Sequence, residues 1–363
     1  MQASHPGGGL SFFWPTVFKN LTVYRIGPGW EPDFHALEGA LAQAQFVPCG
    51  ATQQKSSGWV PPRGKAHAPL IESIDGRWLM QVQSEQRMVP ASVIKRRTEE
   101  LADRIEEATG RRPGKKQTKD LKEQALLELL PMAFTRQSST RLCVCPRESL
   151  LLVDSSSQGW CDELTSMLVD ASPGLSLNLI HTEMSPSVAM AHWLGTGEPP
   201  QGFSIDRECE LKSADEMKSV VRYARHPLDT EEVKQHIISG KMPTRLALTW
   251  GDRVSFMLTE ALQLKKLAFL DVVFEGSAIG GGKVDQDEAF DANAAIGIGE
   301  VLGILPDLFD ALGGEQVFDR SAVPVPADAP SAAASAVKAA SPAAATTTAT
   351  TTATADEAPP WEA

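Results

Sequence analysis

The stretch AFTRQSSTRLCVCPRESLLLVDSS, Ala133–Ser156, reads as two strands joined by a turn, because short apolar runs bounded by Pro and Ser mark a meander. Similar alternation recurs downstream in TRLALTW, RVSFMLT and LKKLAFLDV, with Gly251 and Asp252 forming a hairpin-type junction between the first two. Upstream, VFKNLTVYRI (Val17–Ile26) alternates apolar and polar residues and predicts a half-buried strand, and Arg77–Val89 is charged but strand-compatible. GWVPPRG (Gly58–Gly64), with its paired prolines, predicts a rigid turn.

Helical spacing separates these strands. Phe34, Leu37 and Leu41 predict a helix over Pro32–Gln45. Ile94, Leu101, Ile105 and Ala108 predict one over Ala91–Thr109, and Leu121, Ala125, Leu126, Leu129 and Leu130 one over Thr118–Leu130. Gly110, Pro113 and Gly114 break the pattern between these last two, which gives a protruding helical hairpin. Further helices are expected at Gly159–Asp170, at Ser187–Leu194 and at Thr230–Ser239, the last opened by Asp229 and Glu232 in a capping-box-like arrangement. A long one over Asp285–Leu312 is expected to be interrupted near Gly297, Gly299 and Pro306. The mixture predicts an α+β fold with antiparallel sheets.

The chain divides into three parts: a glycine-rich flexible extension over 1–16, a body over 17–315, and a tail over 316–363. The tail is built from Ala, Ser, Thr and Pro and buries too little apolar surface to offset its ordering entropy, so disorder is expected there. Of the 363 residues, 42% are hydrophobic, enough for a substantial core. The longest apolar runs carry charges such as Lys265, Lys266 and Asp271, and the N-terminus lacks a secretory signal, so a soluble cytoplasmic protein with no bilayer-spanning segment is expected. Cys49, Cys143, Cys145, Cys161 and Cys209 are odd in number and irregularly spaced, which predicts reduced thiols rather than a disulfide framework or a zinc site.

A net charge of −12 weighs against a nucleic-acid partner unless the basic residues are concentrated. They are. Arg111, Arg112, Lys115, Lys116, Lys119 and Lys122 stand against the single acid Asp120, a pattern suited to phosphate contacts but equally found on solvated surfaces. Catalytic signatures are weaker. In GSAIGGGKV (Gly276–Val284) Ser277 occupies the first glycine position of a phosphate loop and Val284 its Ser/Thr position. Asp285, Asp287, Glu288 and Asp291 resemble a metal-dependent nuclease cluster, yet acids at a helix start also complement its dipole. His181 and Glu183 would share a strand face, without a nucleophile.

Several ordered segments resemble the recombination-associated protein RdgC family: VFKNLTVYRI, FVPCG (Phe46–Gly50), GWVPP, PASVIK (Pro90–Lys95), LLPMAF (Leu129–Phe134), QGFSI (Gln201–Ile205), ELKS (Glu210–Ser213), TEEVKQHIISGK, LALTW and LKKLAF. The resemblance spans Val17–Gly314. It implies a nucleoid-associated protein, not an enzyme, that assembles as a ring-shaped homodimer around double-stranded DNA without sequence preference and restrains the RecA recombinase, with no cofactor or metal. It further implies DNA-facing roles for Arg97, Arg104, Arg111, Arg112, Lys115, Lys116, Lys119, Arg222 and Arg225, to which the basic run adds Lys122, and a dimer-gate role for Phe134. Met132 stands where relatives can carry a basic residue, so one phosphate contact beside the gate is expected to be lost. Two other classes remain open: a nuclease using Asp285, Asp287 and Asp291, and a regulator that contacts the recombinase directly.

Overall fold

The computed structural model describes residues 18–65, 67–213, 219–275 and 286–316. The extension over 1–16, the Gly276–Val284 stretch, Asp285 and the tail from 317 lie outside the described residues. The described part is α+β with two antiparallel sheets and seven α-helices.

The first sheet comprises β1 (Thr22–Ile26), β2 (Lys55–Val60), β3 (Ile71–Ile74), β4 (Arg77–Met88), β5 (Phe134–Cys145), β6 (Leu150–Val153) and β7 (Leu177–Leu179). Its order is β2-β4-β5-β6-β1-β7, with β3 also paired to β4. β4 and β5 are each twelve residues long and pair from Trp78↔Val144 out to Met88↔Phe134. The period-2 pleat explains why Leu150–Val153 is buried throughout: Leu150 and Leu152 enter one apolar core, Leu151 and Val153 another. The second core lies against α1 (Phe34–Gln43) and α4 (Gln158–Ala171), through Leu37, Leu41, Cys161, Leu164 and Leu168. Cys143 and Cys145 face the first core with their sulfurs 3.8 Å apart, and all five cysteines are free and buried.

The second sheet runs β12-β11-β10-β8-β9, from β8 (Phe203–Ser213), β9 (Val220–Ala224), β10 (Lys241–Trp250), β11 (Val254–Thr259) and β12 (Leu264–Phe269). One face, with Cys209, Leu211, Leu246, Leu248, Phe256 and Leu258, joins the first core together with α5 (Pro186–Thr196) and α7 (Gln286–Ala311). α6 (Glu231–Ile238) adds Val233. As expected, Gly251 and Asp252 turn β10 into β11, both with φ above 50°.

Four expectations need correction. Gly58, Trp59 and Val60 are strand, not turn: Trp59 is almost fully buried, and an added Cβ at Gly58 would lie 2.4 Å from the Phe46 Cα, so only glycine lets the 44–46 backbone pair with β2. α7 is continuous through Gly297, Gly299 and Pro306, since Ile298, Val301, Ile304, Leu305 and Leu308 form one buried stripe that outweighs the backbone bond proline cannot make. By length and composition α7 could cross a membrane, but its buried stripe is part of the protein core. The start of α6 has no capping box; Thr230 precedes it without a side-chain cap, Asp229 pairs with Lys234 at 3.2 Å, and Glu232 accepts from the Tyr223 hydroxyl. His181 and Glu183 flank an isolated bridge, Thr182↔Glu315, and not a regular strand.

Candidate nucleic-acid interface

The outer end of the β4–β5 ladder leads into α2 (Ala91–Thr109) and α3 (Lys115–Leu129). These helices pack on each other through a small separate core of Leu101, Ala102, Leu121 and Ala125, with Ile105 beside it. α2 has the bounds its apolar spacing predicts, while α3 starts three residues earlier than expected, directly after Gly114. The earlier start places Lys115 and Lys116 in the first helical turn, next to Arg111 and Arg112 in the connection. The helix dipole disfavours cations there, so the helix end does not itself stabilise Lys115 and Lys116 where they stand.

Arg104, Arg111, Arg112, Lys115, Lys116, Lys119 and Lys122 are all exposed. Arg112 has Glu106 at 3.9 Å; the others have no ion pair among the described residues. Arg97 differs. Its guanidinium bonds Glu100 at 2.9 Å and Glu128 at 2.7 Å, fastening α2 to α3, and only 27% of its side chain is exposed. Arg97 in turn holds the Glu128 carboxyl below the usual carboxylate range. The sequence could not expose this pairing, because Glu128 belongs to the other helix.

Where the chain returns from α3 to β5, four large apolar side chains are open to solvent. Phe134 is 89% exposed, its cross-strand partner Met88 is exposed, and Met132 (75%) and Leu127 lie on the preceding turn and helix. Arg87 holds this corner. Its guanidinium donates to the carbonyls of Leu130 and Ala133 on the returning segment and to those of Cys49 and Gly50 on a distant loop, at 3.1–3.3 Å. Two residues away, buried Glu85 accepts from the Cys49 N–H and the Gln137 side chain. Neither residue stands out in the sequence, since Arg87 serves main-chain carbonyls and Glu85 a main-chain N–H and a glutamine of another strand.

Arg222 and Arg225 lie elsewhere, on and just after β9 at the edge of the second sheet. Arg222, 71% exposed, bonds Glu210 at 2.6 Å, and Arg245 approaches the same carboxylate at 3.8 Å. Burial pushes the Glu210 carboxyl up, but the Thr244 hydroxyl and the two guanidiniums outweigh it and leave it below the usual range. Arg207, Arg245 and Lys266 join these two cations on the five-stranded sheet. They were legible only as polar positions within alternating strands. The structure therefore brings the eight α2–α3 cations together in one helical pair and sets Arg222 and Arg225 on a different sheet.

Two of the proposed nuclease acids, Asp287 and Asp291, are each paired with a cation. Asp287 accepts from Lys65 at 2.6 Å, and Asp291 from Arg63 at 2.5 Å, while Arg63 also bonds Glu72 and lies over the Phe290 ring. These residues tie α7 to the segment between β2 and β3.

Residues 16–315 match the family model described as "Putative exonuclease, RdgC". The chain is 43% identical over 303 residues to the recombination-associated protein RdgC of Dechloromonas aromatica, an alignment covering 83% of this chain and 98% of that one. It is 41% identical over 299 residues to the protein of that name from Cupriavidus pinatubonensis, and 37% identical over 299 residues to the one from Bordetella pertussis; both alignments cover 82% of this chain and 99% of the relative.

Proposed function

The chain belongs to the RdgC family, and from that premise we propose that it binds double-stranded DNA without sequence preference, as a homodimer that closes into a ring around the duplex and restrains RecA-mediated strand exchange. The observation that carries this reading is the exposed cation cluster from Arg111 to Lys122, almost free of carboxylate partners in a protein of net charge −12. Such cations lose little on meeting phosphate, because apart from Arg112 they give up no internal ion pair, and the counterions they displace from DNA drive association. No base-reading geometry is required.

Arg104 and Arg97 extend the surface along the helical pair, and Arg222 and Arg225 supply a second patch. Phe134, with Met88, Met132 and Leu127, offers the apolar contact by which two copies close the ring, with Met132 adding surface in place of charge. In this reading the protein works in the cytoplasm on the nucleoid, and holds DNA without cutting it.

The test is affinity for a duplex of arbitrary sequence measured across salt concentrations. Log K should fall with log salt at a slope of roughly −0.9 per phosphate engaged, and joint replacement of Arg111, Arg112, Lys115 and Lys116 by Glu should weaken all sequences alike. A flat salt dependence removes the proposal. Tighter retention on closed circular than on linear duplex, with a dimer mass in solution, tests the ring. Shortening of a duplex from its ends in magnesium would put an exonuclease in its place.

A further inference from the structure

Three cations of the five-stranded sheet sit where its backbone is irregular. β8 carries an insertion opposite β10: Cys209 pairs with Leu246 and Ile205 with Leu248, so Asp206, Arg207 and Glu208 together oppose Ala247. On β12, Ala268 pairs with Ser255 and Lys265 with Met257, so Lys266 and Leu267 oppose Phe256, and Lys266 takes φ 53°. Arg225, at the end of β9, takes φ 56°. Left-handed backbone is unfavourable for side chains such as these, and bulges serve to re-aim side chains.

All three point to one place. A concavity of about 260 Å³ is lined by Arg207, Arg225 and Lys266, with Asp206 and Glu208, over a floor that includes Ala247 and Met257. Both floor residues are buried although they alternate with the core-facing positions of β10 and β11. The charges in this concavity are unequally committed. Glu208 bonds Lys266 at 2.6 Å, and Asp206 accepts from the Thr249 hydroxyl at 2.9 Å. Arg207 and Arg225 have no carboxylate partner among the described residues, and both are exposed. A cationic guest would have to displace Lys266 or Thr249, whereas an anion meets two uncommitted guanidiniums.

We propose that Arg207, Arg225 and Lys266 seat one backbone phosphate of a bound nucleic acid, with Glu208 as the internal anion that holds Lys266 until the phosphate replaces it. This rests on the DNA-binding reading above and gives the sheet its own defined subsite. The two guanidiniums supply charge-assisted bonds to the phosphate oxygens, contacts that carry no sequence information. Exchange of Glu208 for phosphate makes the contact readily reversible, since the protein regains an ion pair when DNA leaves.

The experiment measures duplex affinity across salt for the full chain, for the triple variant R207Q/R225Q/K266Q, for E208Q, and for the α2–α3 charge reversal. The seat predicts a salt slope shallower by about one in the triple variant, and several-fold tighter binding by E208Q, where Lys266 starts unpaired. Arg207, Arg225 and Lys266 are exposed and Glu208 is half-buried, and a thermal melt matching the unsubstituted protein confirms folding. A triple variant with unchanged slope and affinity, or an E208Q that binds no better, overturns the seat while the wider reading stands, provided the charge reversal still weakens binding. Absence of salt-dependent duplex binding in the unsubstituted chain overturns both.

Discussion

In the α2–α3 pair the cations from Arg111 to Lys122 stand over a contact made by Leu101, Ala102, Leu121 and Ala125, whereas on the five-stranded sheet Arg222 and Arg245 share Glu210 above the largest core of the protein. The first arrangement leaves positive charge uncompensated on an element with little apolar surface behind it. The second fixes it on a rigid sheet and tempers it with carboxylates. Long-range attraction of an anion falls to the first, since unpaired charge projects furthest, and defined geometry falls to the second, since its side chains are held from both sides.

The comparison breaks most visibly through core truncations. Leu248→Ala, at a fully buried site of the second sheet, should cost about 2–5 kcal/mol and lower the single thermal transition. Leu121→Ala should instead release amide protection in α2 and α3 and move the global transition by less than about 1 kcal/mol, because its core is local. Equal shifts of the global transition would make the helical pair a cooperative part of the body. Next in size is Arg87→Met, which strands carbonyls at Leu130, Ala133, Cys49 and Gly50 and should cost about 2–3 kcal/mol. Hydrogen exchange should then quicken at 49–50 and 130–133 while the five-stranded sheet is unaffected.

How much of this was legible follows from where each signal resides. The α2 helix has the bounds its apolar spacing predicts because its stripe is local to the segment. β2 was hidden because KSSGWV lacks alternation and the following prolines dominate, while its real determinant, the approach of the 44–46 backbone to Gly58, is tertiary. Basic residues could be counted from the sequence, but their commitments could not. Arg97 and Arg112 look alike there, yet one is clamped between two helices and the other is nearly free. Arg87 is invisible for a related reason, as its partners are main-chain carbonyls of segments far apart in sequence.

Smaller effects sharpen the same contrast. The Gln137 side chain, helped by the Cys49 N–H and opposed by burial, holds the Glu85 carboxyl below its ordinary 4.5. Its contribution to stability is therefore complete above 4.5 and is lost as pH falls through the lower folded-state value. Glu85→Gln should flatten that acid limb, read from melts between about pH 7 and about pH 3. Smallest is Glu128→Gln, which should leave the melting temperature unchanged and free Arg97 from one partner. Duplex affinity should then rise by about twofold or less, and a loss of affinity would show that Arg97 serves better clamped than free.

The outer half of β5 has a further consequence. Phe134–Ser139 pairs with β4 on one side, but β6 reaches only Leu142–Cys145 on the other, so six residues present an edge of amides and carbonyls with no strand partner among the described residues. Bare edges recruit stray strands and seed aggregates. After Phe134 this one reads Thr, Arg, Gln, Ser, Ser, all exposed and with no apolar side chain. A strand docking there would gain main-chain bonds but bury no hydrocarbon and meet the charge of Arg136. The composition that makes this segment a poor piece of core thus keeps an exposed ribbon from polymerising.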